Sequence, residues 1–332
     1  MRRAAIVLIF LCLCPIFALA DVPVLSDVEA IIQQEHPAEM DIRGMEFADV
    51  KYLVDTYPDI RFHYTVRLAN VDVDSEATEA SLDTDRPKRP NIQELHERLQ
   101  YLPNLTKLDM FKYMHSKADM ALLFDSYPGI RFGFTVQVAH KKIRTDLTAF
   151  STLSPPQRYK NKDFENLRFC YQLLALDIGH NAVDDLSFLE YLPNLKVLIV
   201  ADNRLTDISP ISQLKDLEYL EIFQNKITDL SPLKQNQKLI DLNVSWNKTL
   251  CDYESILELP NLQRLWYVNT ALTEEGRQAL TERFPEAQIV FEADHSTAGG
   301  WRKHPRYDVL REMFFHWTYS PFPALTETPE ND

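Results

Sequence analysis

Leucine and its apolar relatives return at fixed offsets through the second half of the chain. Leu173, Leu176 and Ile178 are followed by Leu195, Leu198 and Val200, by Leu217, Leu220 and Ile222, by Leu239, Leu242 and Val244, and by Leu262, Leu265 and Tyr267. Residues 173–194, 195–216 and 217–238 align without gaps, 22 residues to the unit. Self-similarity at a short fixed period marks a stack of small units, none able to bury its apolar side alone. Offsets three and five lie on one side of an extended segment, because strand side chains alternate between faces. The pattern predicts one short strand per unit, stacked in parallel, with the intervening positions facing solvent.

Eight residues after each start stand Asn181, Asn203, Asn225 and Asn247, with Thr270 in the fifth unit. A carboxamide both donates and accepts, and buried turn backbone needs both. Four asparagines in register with the leucines are expected to form an internal ladder that bonds the backbone of neighbouring coils.

The periodicity extends further back in diverged form. Leu105, Leu108 and Met110, followed by Tyr127-Pro128, repeat the register of Leu262, Leu265 and Tyr267, followed by Phe284-Pro285, 157 residues on. Both read as variants with a longer helix. A second duplication relates YPDIRFHYTV at 57–66 to YPGIRFGFTV at 127–136, an offset of 70 with seven identities in ten. An amphipathic helix, near 49–55 and 119–125, is expected before each Tyr-Pro turn, with a strand hairpin after it.

Segment 72–90 is rich in Asp, Glu, Ser, Thr and Pro and reads as an exposed acidic linker. Residues 151–166, with Pro155 and Pro156, read as a loop. Trp301 to Trp317 reads as a helix whose Tyr307, Leu310, Phe314 and Trp317 share a face, with Met313 beside them. An open stack end exposes apolar core, so this helix is expected to cap it. The chain thus divides into a leader at 1–20, a first diverged unit at 21–71, the linker and a second diverged unit at 91–150. A lead-in at 151–172, regular repeats at 173–292, the cap at 293–318 and a disordered tail at 319–332 complete it.

The segments LKVLIVADNRLTDISPISQLKD and LEYLEIFQNKITDLSPLKQNQK resemble the leucine-rich repeat family, in particular its 22-residue class of internalins and related secreted bacterial proteins. The resemblance covers 173–292. It implies an α/β solenoid with a curved parallel sheet, short 3-10 turns on the convex side at the TDIS-P-I and TDLS-P-L stretches, and a binding function without a set ligand. The segment GGWRKHPRYDVLREMF resembles the tail of secreted repeat proteins of Gram-positive gut bacteria.

Arg2 and Arg3 precede an apolar run from Ala4 to Phe17 that ends in Ala18-Leu19-Ala20. This is the layout of a signal peptide cleaved after Ala20, and Pro15 argues against an uncleaved anchor, although the run approaches the ~18 to 20 residues that span a bilayer. No later segment is apolar and long enough to cross one, and no Leu-Pro-x-Thr-Gly motif is present, so the expected product is secreted and free of stable membrane insertion. Cleavage takes the net charge from −14 to about −16. Nucleic-acid binding is driven by Lys and Arg, so it is not expected. Cys12 and Cys14 leave with the leader, and Cys170 and Cys251 alone do not make a disulfide framework.

No catalytic motif is found. His180 lies three residues from Asp177, with Cys170 upstream, but strand parity sets Asp177 and His180 apart. His295 and His304 flank Gly299-Gly300 without a fixed metal geometry, and Asp207 and Asp229 read as turn residues. No metal, cofactor or enzymatic activity is expected. The solvent side of the sheet is the informative surface. Its columns read Asp177, Ile199, Glu221, Asn243, Trp266 and His180, Asp202, Gln224, Trp246, Asn269, beside Tyr219 and Phe223. Aromatic enrichment marks binding surfaces. The concave face is therefore expected to bind a protein through Tyr219, Phe223, Trp246 and Trp266, with Asp177, His180, Asp202 and Glu221 contributing polar contacts. A glycan is the alternative ligand.

Overall fold

A computed structural model describes residues 22–152 and 158–323, which fall into two compact units. One comprises the chain up to Leu82 together with Pro87–Thr106; the other comprises Asp83–Arg86 and everything from Lys107 onward. The leader with its cleavage site, the Pro155-Pro156 pair and the tail beyond Pro323 lie outside the described residues.

The first unit runs α1 (Leu25–Glu35), β1 (Glu39–Asp41), α2 (Phe47–Thr56), β2 (Arg61–His63), β3 (Thr65–Leu68), β4 (Val71–Asp74), β5 (Glu79–Ser81) and α3 (Ile92–Leu99). Helix α2 buries Val50 and Leu53 and stops before Tyr57, since a residue preceding proline disfavours helical backbone. The second unit opens with a copy of the same design: β6 (Lys107–Met114), α4 (Lys117–Ser126), β7 (Arg131–Val138), β8 (Lys141–Arg144) and β9 (Ala149–Ser151).

The offset of 70 holds well beyond the ten residues that reveal it. Helices α2 and α4, strands β4 and β8, and strands β5 and β9 all correspond at that spacing. Even the hairpin closure repeats: the Tyr64 N–H donates to Ser75 Oγ at 3.3 Å, and the Phe134 N–H to Thr145 Oγ1 at 2.9 Å. The expectation of an exposed linker at 72–90 is corrected here. Strands β4 and β5 occupy much of it, and Val73, Ser75 and Leu82 are buried. Its acidic residues alternate with the inward ones, so composition masked a strand.

Both hairpins turn through an alanine with positive φ, Ala69 at 54° and Ala139 at 50°. A Cβ is unfavourable there by roughly 1–2 kcal/mol, partly offset in glycine by its freer unfolded chain. Ala69→Gly is expected to stabilise by ~0.5–1 kcal/mol, read as a higher urea midpoint; a lower midpoint would show that the turn is not strained.

From β9 the chain builds a seven-stranded parallel sheet with β10 (Ala175–Asp177), β11 (Val197–Ile199), β12 (Tyr219–Glu221), β13 (Asp241–Asn243), β14 (Arg264–Trp266) and β15 (Gln288–Val290) in sequential order. Leu176, Leu198, Leu220, Leu242 and Leu265 pair in register and are fully buried. The returns are 3-10 turns at Ser187–Tyr191, Ser209–Gln213 and Ser231–Gln235, then helices α5 (Glu254–Leu257) and α6 (Glu274–Arg283). Asp185, Asp207 and Asp229 each accept from the backbone N–H two residues on, as turn residues do.

The asparagines tie each coil to the one before. Asn203 Nδ2 donates to Ile178 O at 3.0 Å and Val200 O at 3.1 Å, while its Oδ1 accepts from the Val183 N–H at 2.9 Å. Asn225 repeats this with Val200 O, Ile222 O and the Leu205 N–H, and Asn247 with Ile222 O, Val244 O and the Ile227 N–H. Asn181 bonds Ile178 O and the Tyr159 N–H. Asn225→Ala strands the buried Leu205 N–H and is expected to cost about 1–3 kcal/mol. An unchanged denaturant midpoint would argue against that role.

After β15 the chain turns back. A 3-10 turn at Trp301–Lys303 leads into α7 (Pro305–His316), and beyond it the Ala149 N–H donates to Trp317 O at 3.2 Å and the Tyr319 N–H to Thr148 Oγ1 at 2.8 Å. The helix expected to cap the end of the stack lies instead across the sheet. Leu310, Met313, Phe314 and Trp301 share one buried cluster with Ala149, Ala175, Val197, Tyr219 and Trp266. The physical reason is that two apolar faces needed cover, the helix stripe and the aromatic sheet columns, and each covers the other.

Candidate functional site

In β10 to β14 the central leucine points into the coil, so its two neighbours point to the opposite, concave side. That places Ala175, Val197, Tyr219, Asp241 and Arg264 in one column and Asp177, Ile199, Glu221, Asn243 and Trp266 in the next. The expectation that these side chains meet solvent fails for three of the four aromatics and for Glu221: Tyr219 is 1% exposed, Phe223 3%, Trp266 0% and Glu221 4%. Their cover is the C-terminal strap. The Trp301 ring lies 4.9 Å from that of Trp266 and 5.5 Å from that of Tyr219, centre to centre. Trp301 Nε1 donates to Glu221 Oε1 at 2.8 Å, Tyr219 Oη donates to the same oxygen, and Trp266 Nε1 donates to Ala298 O at 2.6 Å.

A buried charge network fastens the strap. Asp241 in β13 accepts from Arg264 at 3.2 Å and from Arg306 of α7 at 2.6 Å, and none of the three side chains is more than 3% exposed. Arg264 also donates to Trp301 O at 2.7 Å, and its guanidinium sits 4.3 Å from the Trp301 ring centre. Burial pushes the Asp241 carboxyl up while the two guanidiniums pull it back. Burial and the same two cations hold His304 down at about 4, so it stays neutral at ordinary pH. This network was missed in the sequence. The signal was there: opposite charges at one concave-side offset of adjacent repeats, Asp241 and Arg264, with a third charge, Arg306, on the amphipathic helix α7.

What remains open is the row that follows each strand. His180, Asp202, Gln224, Trp246 and Asn269 all adopt positive φ, between 48° and 62°. The N–H groups of the first four donate to carbonyls of the next coil, which locks each in place. Asp202 joins the row laterally, with His180 Nδ1 3.0 Å from its Oδ2 and Gln224 Nε2 donating to its Oδ1 at 3.0 Å. Arg158 approaches within 3.8 Å. His180 and Gln224 are exposed and Trp246 half-buried, its Nε1 unpartnered among the described residues.

Between this row and α7 lies a cleft of about 110 Å³ reached by Asp177, His180, Glu221 and Phe223. Asp177 Oδ1 accepts from the Gly179 N–H at 3.0 Å and Oδ2 from the Ser151 hydroxyl at 2.8 Å. Burial raises the carboxyls of Asp177 and Glu221 above the usual range in spite of these donors. The structure therefore brings together Asp177, His180, Glu221 and Phe223, puts Asp202 and Trp246 along the rim, and seals Tyr219 and Trp266 beneath the strap.

Nothing in the geometry assembles a reactive centre from Cys170 and His180. Cys170 is fully buried, which pushes its thiol far up, and His180 faces Asp202. Among the described residues no group of three or more His, Cys, Asp or Glu side chains could hold a metal ion, and no helix is long and apolar enough to cross a membrane.

A family model described as leucine rich repeats (2 copies) matches residues 193–235. Those coils are leucine-rich repeats. Among curated proteins none matches the chain. Internalin C2 of Listeria monocytogenes is 22% identical, over 59% of this chain and 74% of that one, with a TM-score of 0.36. The internalin InlF of the same organism is 19% identical over 82% and 91%, at a TM-score of 0.37. A leucine-rich repeat protein of Leptospira interrogans is 17% identical over 59% and 57%, at 0.29. The parallel sheet with its 3-10 returns is a leucine-rich repeat solenoid. The repeat fold points at a general level to protein–protein interaction.

Proposed function

We propose that this is an exported protein-binding module, and that its partner docks on the concave side along the rim of His180, Asp202, Gln224 and Trp246 and the adjoining cleft. The observation that carries the reading is the rim itself. Its side chains stand on left-handed backbone held by bonds to the next coil, so they are ordered before any partner arrives. Preorganised groups lose less freedom on binding. The mixture of an exposed imidazole, a half-buried carboxylate and a half-buried indole suits an interface with an aromatic anchor and polar rim. Burial of Tyr219 and Trp266 counts against the glycan alternative, because those rings are the ones a sugar would stack on.

The experiment is photo-cross-linking of the exported protein on intact cells, with a benzophenone amino acid at Gln224 or at Lys215 on the turn side. A partner captured from Gln224 alone is expected, with binding reduced about tenfold or more by Trp246→Ala. Capture from Lys215 alone would move the site to the convex side. For export, the amino terminus recovered from the medium should be Asp21; Met1 in a membrane fraction would refute cleavage.

A further inference from the structure

We propose that the cleft between α7 and the sheet is a socket for an alkylammonium group, the head of a lysine side chain carried by the protein partner. The proposal rests on the protein-binding reading above and names the chemistry the partner must present.

The cleft is about 110 Å³, on the scale of a small head group. Two carboxylates line it, Asp177 from β10 and Glu221 from β12, together with the rings of Phe223, Tyr307 and Phe314. Neither acid forms an ion pair among the described residues. Glu221 accepts both of its hydrogen bonds at Oε1, so Oε2 has no donor there. Burying carboxylates with only the exposed Arg302 and His180 acting on them from a distance is unfavourable, and an entering cation relieves it. Aromatic faces attract cations too, and a cage of rings with acidic groups is how ammonium ions are held.

The donor pattern suits an ammonium, whose N–H groups can reach both acids. A guanidinium is matched by two free oxygens of one carboxylate. At Glu221 two donors already fill Oε1, so it offers no such fork, while Asp177 keeps one acceptor site on each oxygen beside the Gly179 and Ser151 donors. An ammonium has three donors that can go to separate acceptors.

The charges facing the two acids are mixed. Arg302 and Arg311 line the mouth from the strap and are exposed, His180 follows β10, and Lys141 of β8 acts on Asp177. The arginines oppose a second cation, so Arg302→Ala should tighten ammonium binding. Because burial raises both acids, the socket loses its charge as pH falls through their raised values, and binding is held above them.

The test uses the full exported chain labelled with 15N-glycine. It has seven glycines, and the Gly179 amide donates to Asp177, so it reports on the socket. The probes are n-butylammonium chloride, n-butanol, guanidinium chloride, and Nα-acetyl-lysine methylamide with and without Nε-acetylation, at constant ionic strength. A saturable Gly179 shift is expected with butylammonium and the free lysine derivative and with none of the others. Asp177→Asn and Glu221→Gln keep the shape and acceptors, and each should weaken binding about tenfold, the loss of one charged contact, while the other glycines stay in place.

No saturable shift, a shift indifferent to both substitutions, an equal response to guanidinium, or binding of butylammonium without the lysine derivative would each overturn the proposal. Cross-linking at Gln224 is measured separately. Loss of the Gly179 response with cross-linking intact sinks the lysine socket alone, whereas the reverse sinks the docking face.

Discussion

Asp241→Ala is expected to destabilise the protein by about 3–5 kcal/mol, because it removes the shared anion from between two buried guanidiniums. Arg264 and Arg306 would then face each other with no counter-charge, in a place where none of the side chains is more than 3% exposed. The desolvation of both cations is retained while the attraction that offset it is gone. Exposed pairs such as Lys238–Asp216 and Lys234–Glu258 are a natural contrast, since water screens them. Urea unfolding followed by circular dichroism decides it. Asp241→Ala should shift the midpoint far more than Asp216→Ala, and equal shifts would mean that water reaches the network. Replacing Asp241 and both arginines together with apolar residues should be milder than Asp241→Ala alone, since no charge is left stranded.

Trp301→Ala should cost a comparable ~3–5 kcal/mol, from a cavity the size of an indole. The ring is fully buried, packs on Tyr219 and Trp266, and stacks with Arg264. It also donates to Glu221, which would keep only the Tyr219 hydroxyl. Water entering the vacated space should red-shift the fluorescence of Trp266 and quicken proteolysis between α6 and α7. A midpoint and emission spectrum like those of the wild type would show that the strap is not part of the folded core.

The array was legible because its period ties each side chain to one side of a strand. Offsets three and five named the buried residues, and offset eight named the asparagines that bond adjacent coils. Parity also assigned Tyr219, Glu221 and Trp266 to the concave side correctly. It could not say whether that side meets water. The answer depends on contacts such as Trp301 with Glu221, 80 residues apart, and no local pattern encodes them. The stretch from Asp72 to Pro90 failed for a related reason: Val71 and Val73 alternate with acids, and the acids dominated the composition.

Coils of a repeat stack touch only their neighbours, so such stacks ordinarily fray from their ends and melt in steps. Here Tyr319 bonds Thr148, 171 residues earlier, and Trp317 bonds the first strand of the sheet. That contact joins the last part of the chain to the coil that starts the array and closes a very long loop. Contacts of such sequence separation slow folding, since the loop must close before they contribute. The strap should accordingly turn a chain of loosely coupled coils into a unit that opens all at once, slow to fold and slow to lose its first turn.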